Sequence, residues 1–192
     1  MNATKKWHAA HTPVPGVPRW ARILAYAVPL IVLPSSLWRL PLVFDDRTAL
    51  SERLYILALS VLSELLAFTA FGLVAAWGER LPRWVPGLGG RRLPTPAVAV
   101  PAALGAVALT LLWSIAFVGV SSGTTLRGEP VAADFPTQGG ALESTIFYAC
   151  YLPLLLWGPV LAALTYGYCQ RRRRRVPQSQ LSGAGPVSPG QG

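Results

Sequence analysis

The sequence predicts an all-α protein, a polytopic transmembrane bundle of four helices, and two observations support this. Of its 192 residues, 52% are hydrophobic and 13% are charged, which is too apolar for an ordinary soluble domain. The apolar residues form long charge-free runs, and about 20 helical residues cross the hydrocarbon core of a bilayer. We expect the helices at about 22–40, 54–78, 97–120 and 145–169.

The first predicted helix is the shortest of the four. Its charge-free core contains Pro29 and Pro34, and Arg22 and Arg39 could reach the two interfaces from its ends. A cleaved signal peptide is the alternative, because basic residues precede a short apolar stretch. The segment "LPSSLWRLPL" offers no small-x-small cleavage site, so an uncleaved first helix is favoured.

The second helix carries one acid, Glu64, in an otherwise charge-free run. An ionised side chain near the bilayer centre costs about 2.5–3.5 kcal/mol on insertion scales, so we expect Glu64 to face protein and to be neutral. The candidate intramembrane polar site comprises Glu64, Ser60, Thr110 and Ser114. Other polar side chains at similar or more external depths are Ser35, Ser36, Tyr148 and Tyr151.

The third and fourth helices differ in their small and helix-bending residues. On the third, one stripe holds small residues that let helix backbones approach each other. That stripe consists of Ala102, Gly105, Ala106 and Leu109.

The fourth predicted helix contains Pro153, Gly158 and Pro159, so we expect a bend in it. It also carries both cysteines, which lie too far apart along one helix to form a disulfide.

The positive charge is distributed unevenly between the predicted loops. With a cytoplasmic N-terminus, most Lys and Arg residues fall on the inner side and most acids on the outer side. The outer loops then keep only Arg39, Arg47, Arg53 and Arg127. This asymmetry is typical of the positive-inside rule, so the net charge of +9 indicates topology, with both termini cytoplasmic, and no nucleic-acid partner is expected.

Three regions follow from these assignments. Residues 1–19 are predicted to be a flexible cytoplasmic arm, residues 20–170 the four-helix transmembrane domain, and residues 171–192 a basic and then disordered cytoplasmic tail. The five arginines 171–175 read as a stop-transfer anchor, each attracted to an anionic leaflet by roughly 1 kcal/mol. We therefore expect lipid headgroup contact by Arg171, Arg172, Arg173, Arg174 and Arg175.

Catalytic, metal and cofactor motifs are not evident in the sequence. "PGLGGRR" lacks the Lys-Ser/Thr of a phosphate-binding loop, and His8 and His11 have no third ligand near them. We expect no catalytic residue, no metal, no cofactor and no enzyme activity.

The segment 60–106 resembles uncharacterised small multi-pass membrane proteins of high-GC bacteria. The resemblance is carried by "GERLPRWVPGLGGRRLP", with Trp84, the pair Gly89–Gly90 and the pair Arg91–Arg92. The preference for Arg over Lys and the abundance of Ala and Pro suit such an origin. The resemblance implies a bacterial plasma (inner) membrane protein with no assigned activity, and no functional residue can be carried over.

Two functional hypotheses remain. The first is a non-enzymatic structural or regulatory bundle that acts through helix–helix contacts with itself or with a membrane-protein partner. The small-residue stripe of the third helix supports this hypothesis. The alternative is a small proton-coupled transporter or ligand-binding carrier that uses Glu64. A carrier of this size is expected to be an oligomer.

Overall fold

The computed structural model describes residues 16–46, 49–75, 93–125, 128–132 and 135–181, with side chains up to Arg174. The helices are α1 (Arg19–Phe44), α2 (Leu50–Thr69), a 3-10 turn (Ala70–Leu73), α3 (Thr95–Ser121), α4 (Ala141–Tyr151) and α5 (Leu154–Leu181). Four stretches are long and apolar enough to cross a membrane: α1, α2 with its 3-10 turn, α3, and α4 together with α5. The described ranges contain no strand, so the predicted all-helical class is confirmed.

The predicted helix bounds agree best with the observed ones for α3 and least for α5. Helix α1 extends beyond both predicted ends, and the second span turns into a 3-10 helix at Ala70. Its predicted end at residue 78, residues 1–15 of the predicted arm, and the resemblance motif up to Arg92 lie outside the described residues. Helix α5 continues to Leu181, so the basic run is helical and the domain boundary predicted at residue 170 does not coincide with a helix end.

The break between α4 and α5 lies at Leu152 and Pro153. Proline has no N–H to donate to the carbonyl four residues earlier, so the regular helical ladder cannot continue through Pro153. The amide of Leu152 still bonds Tyr148 O at 2.8 Å, and the amide of Leu156 bonds Pro153 O at 2.9 Å. The chain thus turns over two residues and resumes as α5. This break occurs at Pro153, the first of the three residues from which a bend is predicted.

The helices pack in the spatial order α3, α5, α1, α2, with α4 also against α1. The central helices are therefore α1 and α5, whereas α2 packs mainly on α1 and α3 mainly on α5. In addition, the 3-10 turn at the end of the second span packs against both α1 and α5. Helix α3 is the most peripheral, since its one fully buried residue is Ala106.

The core lies along the α1–α5 contact. Helix α1 buries residues three and four apart, which form one face of a helix. These residues are Ala21, Ala25, Val28, Val32, Ser35 and Ser36. From α5, the largest side chains in the core are Leu154, Trp157, Leu164 and Tyr168. Small residues on α1 and larger ones on α5 allow the two central helices to pack closely.

One end of the row is held together by contacts between elements far apart in sequence. A Cβ atom on Gly167 would lie 2.9 Å from the Trp20 ring, so α1 and α5 meet closely there. Arg171 reaches Leu73, and Arg172 reaches Thr95. We call this end, defined by Trp20, Leu73, Thr95 and Arg171, the basic end.

The opposite end has its own connection between α1 and α2. Arg53 Nε donates a hydrogen bond to Val43 O at 2.8 Å, and Arg53 Nη1 lies 3.4 Å from Asp46 Oδ1. The last carbonyls of a helix have no intrahelical partner, so this guanidinium satisfies one of them in α1. It helps to position α2 against α1, where the candidate polar site lies.

Candidate functional site

Glu64 is bonded to Ser36 in the structure. Ser36 Oγ on α1 donates a hydrogen bond to Glu64 Oε1 on α2 at 3.1 Å. Ser36 is buried and Glu64 is half-buried. The acid therefore faces the α1–α2 contact, as an intramembrane carboxyl is expected to face protein. Ser36 was among the polar residues predicted at similar depth, but the expected partner was Ser60, Thr110 or a backbone carbonyl beside a proline of the fourth predicted helix.

The other residues of the predicted polar site do not bond Glu64. Ser60 is buried one turn from Glu64, and its hydroxyl donates to Ile56 O of its own helix at 2.9 Å. Thr110 lies on α3 and donates to Ala106 O at 2.7 Å. Ser114 is exposed on the same helix. Helix α3 packs on α5 and not mainly on α2, so the predicted four-residue cluster divides between two parts of the fold.

A second polar pair joins α1 to α4. Arg39 Nε donates to Tyr151 Oη at 3.1 Å, and the guanidinium carbon lies 5.5 Å from the Tyr151 ring centroid. The Tyr151 ring stacks on Phe147 at 4.5 Å and lies 6.4 Å from Trp113. The arginine is thus held both by a hydrogen bond and by the face of an aromatic ring.

The sequence places Arg39 near the end of the first predicted helix, from which it is expected to reach the membrane interface. Helix α1 continues to Phe44, so Arg39 lies five residues before the end of the helix. It is three residues from Ser36 and shares a helical face with it. Along one face of α1 the structure therefore places a hydroxyl bonded to Glu64 and a guanidinium bonded to Tyr151.

These side chains can donate and accept hydrogen bonds and can hold a proton. Glu64 provides a carboxyl group, Ser36 and Tyr151 provide hydroxyls, and Arg39 provides a fixed positive charge. No group of three or more His, Cys, Asp or Glu side chains that could hold a metal ion occurs among the described residues. The arrangement suits proton or hydrogen-bond chemistry.

At the basic end, two of the five arginines contact protein carbonyls. Arg171 is buried, and its Nη2 donates to Leu73 O at 2.8 Å. Arg172 Nε donates to Thr95 Oγ1 at 3.1 Å, and its Nη2 donates to Leu93 O at 2.5 Å. Both guanidinium groups lie near the Tyr168 ring, at 5.7 and 5.8 Å from its centroid. They connect α5 to the end of the second span and to the start of α3.

This internal role was missed by the sequence reasoning, which predicted only headgroup contact for the run. Helical spacing was the available signal, because five consecutive arginines on one helix must point in different directions. Arg173 and Arg174 are exposed, and the side chain of Arg175 lies outside the described residues. Headgroup contact stays a prediction for all five.

The small-residue stripe of α3 packs inside the chain. Ala106 is buried, and a Cβ atom added to Gly158 of α5 would lie 2.7 Å from Ala106 O. Ala102 and Leu109 pack against the core. Close backbone approach, predicted from the stripe, thus occurs between α3 and α5. The stripe is consequently occupied and does not provide a surface for a partner.

Comparison of the chain with protein-family models, with curated proteins and with solved structures returns no match.

Proposed function

We propose that the protein is a multi-pass protein of the bacterial plasma membrane with both termini in the cytoplasm. Four helices long enough to cross a bilayer and the uneven distribution of Lys and Arg support this. Reporter fusions at residues 85–92 and after residue 178 should give a cytoplasmic signal, and fusions at 128–140 should give an external one. A cytoplasmic signal from 128–140 would overturn the topology.

Within the membrane, the proposed role is non-enzymatic and is structural or regulatory, through contact of α3 with a second copy of the chain or with another membrane protein. The supporting observation is the exposure of α3. Only Ala106 is fully buried on this helix of 27 residues, although the helix is held firmly against α5. A peripheral helix of this kind can present most of its circumference to a neighbour.

The contact face must be the side of α3 opposite α5, because the small-residue stripe is already occupied. Leu104, Ala108 and Ile115 are exposed and recur at helical spacing along that side. In the membrane, helix association depends on packing and on small residues, and Ala108 lies between the two larger side chains. This face is therefore the one to test.

The test uses cysteine crosslinking in native membranes. In a chain with Cys150→Ser and Cys169→Ser, Leu104→Cys or Ile115→Cys should form a covalent dimer of the protein or a defined larger adduct. Leu62→Cys on α2 is the matched control, since Leu62 is equally apolar and is 54% exposed. Equal crosslinking at positions 62, 104 and 115 would indicate random collision and would contradict the proposal.

A proton-coupled carrier is the second candidate, and the half-buried Glu64 favours it. Its hydrogen bond to Ser36 and the neighbouring Arg39 provide a polar path along α1. A carrier should show pH-dependent binding or flux in proteoliposomes that Glu64→Gln abolishes. A structural or regulatory protein should keep its crosslinking pattern in the same variant.

A further inference from the structure

An apolar groove runs between α3 and α5 on the side of their contact that faces away from α1. Its volume is about 460 Å³, and its lining includes Ala103, Val107, Thr110, Ala162, Tyr166 and Cys169. The groove exists because alanines at positions 103 and 162 leave space where larger side chains would meet. The two helices still pack closely beside the groove, where Ala106 meets Gly158.

The lining of the groove suits hydrocarbon. The hydroxyl of Thr110 donates to Ala106 O at 2.7 Å, and that of Thr165, another lining residue, donates to Leu161 O at 2.8 Å. The Tyr166 hydroxyl accepts a hydrogen bond from Gln170 Nε2 at 2.5 Å. These polar groups are satisfied within the chain, so a polar ligand would find few directional partners.

One end of the groove leads to positive charge. Cys169 lines the groove, and Arg173 lies four residues further along α5, on the same helical stripe. Arg173 is exposed, whereas Arg171 is buried and Arg172 is bonded to Leu93 and Thr95. The apolar groove thus ends at Cys169, one helical turn before an exposed arginine at the basic end.

We propose that this groove binds one anionic phospholipid, with an acyl chain between α3 and α5 and the phosphate at Arg173. The charge at one end and the apolar lining along the rest match the two parts of such a molecule, and the bilayer supplies it directly. The groove borders the proposed contact face of α3, because Leu111 lines the groove and lies seven residues from Leu104.

Native mass spectrometry of the full chain in mild detergent provides the test. The protein is titrated with phosphatidylglycerol and with phosphatidylcholine of the same acyl chains, with inorganic phosphate as a third arm. We expect phosphatidylglycerol to remain bound at several-fold higher occupancy than phosphatidylcholine, and phosphate alone to leave no adduct. Equal occupancy of the two lipids, or a phosphate adduct that displaces the lipid, would overturn the proposal.

Two pairs of variants locate the site. Arg173→Gln should reduce phosphatidylglycerol occupancy at least threefold, whereas Arg19→Gln, which removes another exposed charge at the same end, should leave it unchanged. Ala162→Phe should fill the groove and displace the lipid, whereas Ala108→Phe, at an exposed position of α3 that does not line the groove, should not. An equal effect of Arg19→Gln would indicate diffuse attraction, and retained binding in Ala162→Phe would show that the groove is not the site. Arg173 is exposed, so its variant tests the proposal even if Ala162→Phe fails to fold.

Discussion

The hydroxyl of Ser36 and the carboxyl of Glu64 are joined across α1 and α2 by a hydrogen bond of 3.1 Å. Interhelical hydrogen bonds in membranes average about 0.6 kcal/mol, because the unfolded chain in a bilayer also finds partners. Ser36→Ala should therefore lower the free energy of unfolding in lipid by roughly that amount. Ser63→Ala is the control, since Ser63 bonds Leu59 O of its own helix at 2.7 Å. A loss as large for Ser63 would argue against the Ser36 contact.

The loss in the free energy of unfolding caused by a substitution of Glu64 should depend on which interactions remain at the α1–α2 contact. Glu64→Gln retains an acceptor for Ser36 and should change the free energy of unfolding very little. Glu64→Leu should cost about 1 kcal/mol or less, the upper part of the range for such bonds, and Glu64→Lys should cost far more because it buries a longer, charged side chain. The measurement is reversible unfolding in bicelles, and a strongly destabilised Glu64→Gln would refute this ranking.

Gly158→Ala should destabilise the α3–α5 contact. The added methyl group would lie 2.7 Å from both Ala106 O and the backbone nitrogen of Thr110, so the two backbones would have to separate. Overpacking of this kind typically costs about 1–3 kcal/mol. Gly105→Ala is a matched control on the facing helix, because its methyl group would meet Leu161 at an ordinary 3.8 Å. Comparable melting temperatures for the two variants would contradict the prediction.

Arg171→Gln should be more destabilising than Arg173→Gln in the same lipid-free detergent. The first removes a buried cation whose Nη2 bonds Leu73 O at 2.8 Å, whereas the second removes an exposed charge. Hydrogen bonds that involve charged groups contribute about 1.5–3 kcal/mol. Thermal unfolding followed by circular dichroism should show the difference, and the prediction fails if both variants melt together.

Tyr151→Phe should remove the hydrogen bond of Arg39 and keep its contact with the aromatic ring. The ring is retained, so the cation still lies over an aromatic face, but the acceptor at 3.1 Å from Nε is lost. The expected cost is about 1 kcal/mol, the central value for a single hydrogen bond. Tyr55→Phe on the exposed side of α2 should be neutral, and a cost of the same size there would point to a general effect of the hydroxyl.

Sequence reasoning predicted the four stretches that are long and apolar enough to cross a membrane, because long charge-free runs are a property of the chain itself. The bounds of α3 agree within two residues, since Pro94 and the polar residues after Ser121 delimit it clearly. The ends of α1 and α5 were less predictable. Arginine is a good helix former, and a helix can continue into the interface after its apolar part has ended. For this reason α5 includes the basic run.

The composition of the polar site could not be predicted, because it depends on which helices are neighbours. Ser60 was chosen because it lies one turn from Glu64 on the same helix. Thr110 and Ser114 were chosen by depth, and depth alone does not distinguish helices that touch from helices that do not. The structure pairs α2 with α1 and α3 with α5, so Ser36 and not Thr110 meets Glu64. Likewise, which arginines of the basic run bond protein carbonyls depends on where Leu73 and Leu93 lie.

The row of helices divides the chain into two consecutive halves that meet along one seam. Helices α1 and α2 form the first half and helices α3 to α5 form the second. The contact of α1 with α5 joins them, together with the contacts of α1 with α4 and of the 3-10 turn with α5. The bonds from Arg171 to Leu73 and from Arg39 to Tyr151 both cross that seam. Each half can therefore pack its own helices as soon as it has been synthesised, without waiting for the other. Two fragments expressed separately, one ending and one starting near residue 85, should find each other in the membrane and restore the native fold by complementation.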